Sequence, residues 1–120
     1  MNERKTKGDL GEQAVSDYLI KKGCRIIKRN FRCRMGEIDI IATDGSHILF
    51  VEVKLRSENS FGSPREYVTA SKQRKIISAA MFYLSGAGSS LQPRFDVAEV
   101  FLDAEDRTKN IEYYESAFEL

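Results

Sequence analysis

The chain has 120 residues, 42% of them hydrophobic, which is enough for one ordinary core, so we expect a single domain over residues 1–120. Nineteen basic residues against 18 acidic ones give a net charge of +1, which argues neither for nor against a nucleic-acid partner. Two cysteines without a nearby histidine do not support a zinc site, and the lack of any long apolar run predicts a soluble, cytoplasmic protein.

The first half of the chain predicts one helix and three strands. The helix covers residues 7–22, where apolar positions recur at helical spacing, with Thr6 as its N-cap and Gly23 as its end. Strand-like runs rich in branched and aromatic residues follow at 24–32, 36–42 and 47–55. A short polar segment, 44–46, joins the last two runs, so we expect them to form a hairpin.

The second half predicts a long connection, a second helix and two more strands. Residues 56–69 combine Ser, Gly, Asn and Pro without periodicity, which is typical of an exposed connection. Thr69 then begins a helix that Gly86 ends, with Gln73 on its apolar face. The two further strands are expected at residues 94–102 and 110–118.

Charged residues fall at alternate positions in the predicted hairpin. Residues two apart in a strand share a face, so Glu37 and Asp39 should point away from Ile38 and Ile40. The next strand repeats the pattern, and its charged face carries Glu52 and Lys54. Each strand would thus bury one apolar side and use the other for charge.

The hairpin register decides how close the carboxylates lie. If the turn comprises residues 44–47, Thr43 pairs with Ile48, and the same index sum places Asp39 opposite Glu52, with Cβ atoms roughly 4.5 to 5.5 Å apart. A two-residue turn would instead make this pair diagonal. Two facing carboxylates repel unless a cation, a proton or a lysine compensates, so the pair indicates a divalent-metal site. A solvated ladder of salt bridges is the alternative, and the strong apolarity of both strands argues against it.

Three segments resemble a known family: residues 36–42 (GEIDIIA), 50–56 (FVEVKLR) and 64–76 (PREYVTASKQRKI). They are similar to the YraN-like family of uncharacterised bacterial proteins, over nearly the whole chain. The order Asp39, then Glu52-x-Lys54, also resembles the PD-(D/E)xK nuclease superfamily, which includes archaeal Holliday-junction resolvases. Ile38 stands where that pattern usually has Pro. The resemblance implies a restriction-endonuclease-like α/β fold, a mixed central sheet of four or five strands flanked by helices.

Carried over residue by residue, the resemblance implies a metal-dependent endonuclease that hydrolyses DNA, with branched DNA as one candidate substrate. Asp39 and Glu52 would bind Mg²⁺ or Mn²⁺ with help from the backbone carbonyl of Val53. Lys54 would orient or deprotonate the attacking water. A cation at this position suits phosphodiester hydrolysis because it lowers the pKa of bound water and stabilises charge on the phosphate. Since resolvases of this class usually dimerise, a homodimer is also implied.

Two residues outside the hairpin are further site candidates. Glu12 occupies the position in the first helix where resolvase-like members carry a glutamate, and it could support the metal or a bound water. Its alternative is an exposed first-turn glutamate favoured by the helix dipole. The amide of Gln73 should point toward the sheet, like the glutamine that follows the catalytic strand in related nucleases. A glutamine bonded to nearby backbone is the alternative there.

Basic residues concentrate in the first four-fifths of the chain, where 17 basic and 10 acidic residues precede residue 95. The last 26 residues reverse this, with two basic and eight acidic ones. Four basic residues near the predicted site are candidates for phosphate contacts, namely Arg32, Arg34, Arg56 and Lys72. A solvated charged surface is the alternative.

Three residues carry weaker expectations. Phe61 and Tyr67 could stack on a base, although anchoring the long connection to the core is the alternative. Asp96 should be the buried partner of a basic residue. Besides the nuclease, two other functions remain open, a non-catalytic nucleic-acid-binding module on a nuclease scaffold and a structural interaction protein.

Overall fold

The computed structural model of the chain describes residues 7–57 and 68–119, which form two helices and five strands. In chain order these are α1 (Lys7–Lys21), β1 (Arg25–Cys33), β2 (Gly36–Thr43), β3 (His47–Arg56), α2 (Ala70–Ala87), β4 (Gln92–Leu102) and β5 (Thr108–Phe118). The strands make one mixed sheet in the order β1-β2-β3-β4-β5. Only β3 and β4 are parallel, and α2 crosses between them. The predicted α/β architecture is therefore confirmed.

Helix α1 ends where the glycine pattern predicts. The amide of Gly23, at φ 93°, donates to the carbonyl of Ile20, and the amide of Cys24 donates to that of Leu19 at 2.9 Å. This pair of bonds is the Schellman arrangement, which requires a residue that tolerates positive φ. The predicted N-cap, Thr6, lies outside the described residues.

Helix α2 begins as predicted and ends later. The hydroxyl of Thr69 accepts the amide of Lys72 at 3.1 Å, which makes Thr69 the N-cap. The predicted end at Gly86 is wrong, because Gly86 lies within the helix and Gly88 is the residue that turns left-handed, at φ 67°. The Gly88 amide donates back to the carbonyl of Leu84 at 3.3 Å. Most of the predicted connection, residues 58–67, lies outside the described residues.

Apolar side chains cover both faces of the sheet, and one helix packs on each. The core beneath α2 includes Phe50, Ile76, Phe95, Val97 and Phe118. The core beneath α1 includes Val15, Leu19, Leu49, Val51 and Val100. Each large side chain buried in this way contributes roughly 1.5 to 3 kcal/mol. The expectation that each hairpin strand spends one whole side on charge is therefore wrong, because both sides are buried over most of their length.

The alternation of β2 breaks at Asp39. Ile38 belongs to the core beneath α2, whereas Ile40 belongs to the core beneath α1, so the prediction that they share a face is wrong. Across from Asp39 on the neighbouring strand, Asn30 adopts φ 55°. Asn tolerates this left-handed conformation, which rotates the chain locally. The regular pairs on either side are Arg29 with Ile40 and Phe31 with Ile38.

Asp96 joins β4 to β5 through buried hydrogen bonds. Its carboxylate is fully buried and accepts from Arg94 Nε at 3.0 Å, from the Tyr113 hydroxyl at 2.6 Å and from the Ser116 amide at 3.0 Å. Ser116, at φ 51°, lies at a shift in the register between the two strands. The carboxylate thus accepts the Ser116 amide, which has no backbone partner at the shift in the β4–β5 register. The prediction that Asp96 is the buried partner of a basic residue is confirmed.

Candidate active site

The register predicted for the hairpin is the one the sheet adopts. Thr43 pairs with Ile48, and the ladder continues to Ile40 with Val51. One step further, the carboxylate of Asp39 replaces the backbone as acceptor and takes the amide of Val53 at 2.8 Å. Asp39 is thereby fixed against β3, beside Glu52.

Asp39, which is partly buried, and Glu52, which is buried, form a carboxyl pair. The Glu52 side chain is 4% exposed, and it lies close enough to Asp39 to share a hydrogen bond. Burial first, and the charge of Glu52 second, raise the pKa of Asp39 to about 7, although the Val53 amide works in the opposite direction. The pair is therefore stable near neutral pH only with a shared proton or with compensating positive charge.

Two lysines supply positive charge to Glu52. Lys54 Nζ lies 3.7 Å and Lys72 Nζ 2.5 Å from the same oxygen, Oε2. Burial lowers the pKa of Lys54, and the neighbouring Lys72 lowers it further. Burial would also lower the pKa of Lys72, but the hydrogen bond and charge of Glu52 outweigh it, so that pKa is raised. The contact of Lys72 with Glu52 was not foreseen from the sequence.

Glu12 lies beside the carboxyl pair. It is buried on α1, and its charge is among those that raise the pKa of Asp39. Its Oε1 accepts no hydrogen bond within the described part of the chain and forms an ion pair at 3.8 Å with Arg29 Nη2. Burial raises the pKa of Glu12 itself. The alternative of an exposed first-turn glutamate is therefore wrong, and a role for Glu12 in the site stays a prediction.

The side-chain hydrogen bond of Gln73 goes to the backbone and not to Glu12, Asp39 or Glu52. Its amide nitrogen donates to the carbonyl of Val68 at 2.9 Å, just before α2. This matches the alternative in which the glutamine bonds to nearby backbone. Gln73 therefore fixes the entry into α2, the helix that carries Lys72, and a direct role in catalysis stays a prediction.

The carboxyl pair suits a hard divalent cation by its chemistry. Within residues 7–57 and 68–119, no three His, Cys, Asp or Glu side chains form a ready metal-binding group. A cation would therefore rely on Asp39 and Glu52, whose oxygens are the ligand type that Mg²⁺ and Mn²⁺ prefer. The raised pKa of Asp39 fits this use, because a cation would relieve the repulsion from Glu52. The carbonyl of Val53 as a further ligand stays a prediction.

A groove with basic walls opens next to the carboxyl pair. It runs between the start of α2 and the β1–β2 turn, has a volume of about 290 Å³, and is lined by Lys72, Lys75 and Glu37. An adjoining depression of about 400 Å³ is lined by Arg32, Arg34 and Lys75. Of the predicted phosphate contacts, Arg32 and Arg34 are exposed here, and Lys72 joins the groove to Glu52.

Arg56 has a different environment from the other basic candidates. Its side chain is 12% exposed, and its Nε donates to Glu99 Oε2 at 2.6 Å, where Glu99 is buried on β4. The geometry favours an internal ion pair over a phosphate contact. Phe61 and Tyr67, the two aromatic candidates for stacking, lie outside the described residues.

Comparison with solved structures finds a protein of similar fold. The structure of Hjc, a Holliday junction resolvase from Archaeoglobus fulgidus, matches with a TM-score of 0.51 over 87% of this chain and 72% of that one. The two sequences are 22% identical, so this similarity shows the fold alone. The predicted restriction-endonuclease-like class is confirmed. Within the described residues, no helix is both long and apolar enough to cross a membrane.

Comparison of sequences identifies the family. The UPF0102 protein of Pelotomaculum thermopropionicum is 42% identical, covering 96% of this chain and 97% of that protein. The UPF0102 protein of Symbiobacterium thermophilum is 52% identical over 78% of this chain and 80% of its own. The family described as "Uncharacterised protein family UPF0102" matches residues 11–100, which confirms the predicted YraN-like membership. The chain belongs to the uncharacterised protein family UPF0102.

Proposed function

We propose that this protein is a metal-dependent endonuclease that hydrolyses phosphodiester bonds of DNA. The observation that carries the proposal is the pair of the partly buried Asp39 and the buried Glu52 on two central strands, beside Lys54. Burying two acids together costs stability that an apolar pair would not, so function is the better explanation for them. The basic groove beside the pair is suited to the phosphates of a nucleic acid.

Each site residue has a role in this proposal. Asp39 and Glu52, with the Val53 carbonyl, would hold Mg²⁺ or Mn²⁺, a cation that would supply a more acidic bound water and positive charge opposite the phosphate. Lys54 would orient that water or take its proton, and its lowered pKa suits the second task. Glu12 would hold a water through Oε1, which accepts no hydrogen bond in the described part of the chain.

DNA is the proposed substrate, and branched DNA is its leading form. The support is the fold shared with a protein named as a Holliday junction resolvase. Cutting both strands of a junction requires two active sites, so we also propose a homodimer. A protein that acts on chromosomal DNA would work in the cytoplasm.

The proposal is tested by cleavage assays with labelled four-way junctions, duplexes and single strands, in Mg²⁺ and in Mn²⁺. Asp39→Asn and Lys54→Met should each reduce the rate by about 10²-fold or more, because each removes a group that acts in the transition state. Glu105→Gln and Lys28→Met are matched controls at exposed positions and should cleave normally. Equal activity of the wild type and the two site variants would contradict the assignment.

A non-catalytic DNA-binding module is the second candidate. The observation that favours it is that Glu52 already has two lysine partners, while the described residues hold no ready group of three metal ligands. This function predicts salt-sensitive DNA binding without cleavage, unchanged by Asp39→Asn. Calorimetric titration with Mn²⁺ separates the two candidates, since only the enzyme should show binding that Asp39→Asn removes.

A further inference from the structure

Lys72 contacts the carboxyl pair and also lines the basic groove. It stands in the first turn of α2, where Thr69 caps the helix through the Lys72 amide. Its ammonium group reaches Glu52 Oε2 at 2.5 Å, while its side chain remains 42% exposed along the basic groove. One flexible side chain thus connects the carboxyl pair with the surface that would meet DNA.

A divalent cation and the Lys72 ammonium would compete for Glu52. Lys54 contacts the same Oε2 at 3.7 Å, so this oxygen already has two cationic neighbours. A cation bound to the carboxylate would come within a few ångströms of both ammonium groups, and the repulsion is strong where water is scarce. One ammonium group then has to withdraw.

Lys72 is the lysine that can leave. Its side chain is 42% exposed, against 21% for Lys54, so it regains hydration at little cost. Its four-carbon stem starts on a helix at the mouth of the groove, whereas Lys54 stands on a central strand. Withdrawal would carry the Lys72 charge into the groove, beside Lys75.

We propose that Lys72 couples metal binding to DNA binding: it neutralises Glu52 before the metal arrives, and the metal displaces it toward a backbone phosphate in the groove. The inference rests on the proposed nuclease function and adds a linkage to it. Because coupling between two binding sites is reciprocal, DNA that holds Lys72 in the groove would also tighten metal binding. Lys72 is a positioning residue in this scheme, since it acts through Glu52.

The test compares Mn²⁺ affinities by calorimetry at pH 8, without DNA. Lys72→Met should bind Mn²⁺ at least about fivefold more tightly than the wild type, because the competitor for Glu52 is gone. Lys72→Arg keeps a cation there and should bind like the wild type. Lys75→Met, which removes a lysine one turn further along the same groove, should change little because its charge is screened by water and salt.

A second measurement follows the linkage from the DNA side. Binding of a fluorescent four-way junction is measured with EDTA and with Ca²⁺. The wild type should gain affinity on adding Ca²⁺, and Lys72→Met should gain less, since it has no ammonium group to release into the groove.

The outcomes separate the two levels of the proposal. If Lys72→Met binds Mn²⁺ no more tightly than the wild type, while Asp39→Asn abolishes binding, the coupling is wrong and the metal site stands. If the wild type itself binds no Mn²⁺, the proposed function fails and the coupling fails with it. Thermal melts of each variant establish that the affinities refer to folded protein.

Discussion

Asp39 marks the point where pairing between β2 and β3 passes from backbone to side chain. The last regular pair is Ile40 with Val51, and the next bond of β3 runs from the Val53 amide to the Asp39 carboxylate. The carboxylate therefore acts as an element of the sheet as well as a candidate ligand. Because it is partly buried and lies beside the charge of Glu52, its ionised form is disfavoured without a cation.

This burial makes the stability of the metal-free protein depend on pH at Asp39. The folded pKa of about 7 lies above the ordinary value of 3.8, so the folded state keeps its proton where the unfolded state loses it. This contribution to stability is fully present below about pH 4 and is lost as the pH rises through 7. Asp39→Asn should therefore raise the melting temperature in EDTA, by at least about 4 °C more at pH 8 than at pH 4, measured calorimetrically.

Two further measurements check the cause. Glu105→Gln removes an exposed carboxylate and should show no such dependence on pH. Mn²⁺ should stabilise the wild type at pH 8 and leave Asp39→Asn unaffected. A melting temperature of Asp39→Asn that is equal to the wild type at both pH values would show that Asp39 ionises without cost.

Predictions for single residues were correct where they depended on spacing along the chain. They were wrong or missing where the contact depended on residues of another strand or helix. The index sum of the hairpin correctly brought Asp39 to Glu52. Strict alternation failed between Ile38 and Ile40, and the left-handed Asn30 that faces this point lies on another strand and leaves no mark in the β2 pattern. The contact between Lys72 and Glu52 depends on how α2 docks, which local periodicity does not determine.

At the scale of elements, close packing of α1 on β3 brings Glu12 to the site. A Cβ atom on Gly11 would lie 2.6 Å from Leu55 Cδ2, so the helix approaches the strand where only a glycine fits without adjustment. Glu12 follows directly and is buried next to Asp39. The glycine before the glutamate is therefore the sequence signal for a glutamate that faces the sheet.

Gly11→Val should force the Leu55 side chain to repack between α1 and β3 and destabilise the protein by roughly 1 to 3 kcal/mol, the usual cost of overpacking. To the extent that α1 shifts as well, it should weaken Mn²⁺ binding, because Glu12 moves with the helix. Chemical denaturation and calorimetry measure the two effects.

The matched control is a second helical glycine. A Cβ atom on Gly86 would meet no atom within 4 Å, so Gly86→Ala should stabilise α2 by about 0.5 to 1 kcal/mol. If Gly11→Val proved as stable as the wild type, the close approach of α1 to β3 would contribute nothing measurable to the free energy of unfolding.

The helix ends show the same limit of local signals. Gly86 and Gly88 are both plausible ends of α2 by composition, and the sequence alone favoured the first. The helix continues because Gly86 keeps helical geometry and Gly88 supplies the left-handed cap. The path that the chain takes from α2 into β4 determines which glycine adopts the left-handed conformation. That path is set by the tertiary fold and not by local sequence.

At the scale of the whole molecule, a nearly neutral protein presents unequal charge on its surface. Basic residues line the groove and depression beside the carboxyl pair, whereas the β4–β5 turn carries Asp103, Glu105 and Asp106. The net charge of +1 hides this separation. The β1–β2 and β4–β5 turns lie at the same end of the sheet but on opposite edges, so a nucleic acid would be attracted to the β1–β2 edge, which orients it toward the candidate site.

This orientation predicts which arginine contributes to DNA binding. Arg32 and Arg107 are matched in exposure, since their side chains are 74% and 73% exposed, and each pairs with a neighbouring acid, Arg32 with Glu37 and Arg107 with Asp103. Only Arg32 lies at the depression beside the groove. Arg32→Ala should therefore weaken binding of a DNA duplex and reduce the slope of log affinity against log salt concentration by about 1, because one phosphate contact releases about one counterion.

Arg107→Ala should leave both the affinity and the slope unchanged, because the β4–β5 turn carries mostly acidic side chains. The measurement is fluorescence anisotropy over a series of salt concentrations, in EDTA so that no cleavage occurs. Equal losses of DNA affinity in the two variants would mean that DNA binding depends only on total charge. The groove would then not be the binding surface. A loss confined to Arg32→Ala would assign the phosphate contacts to the β1–β2 edge of the sheet, the edge nearer to Asp39 on β2.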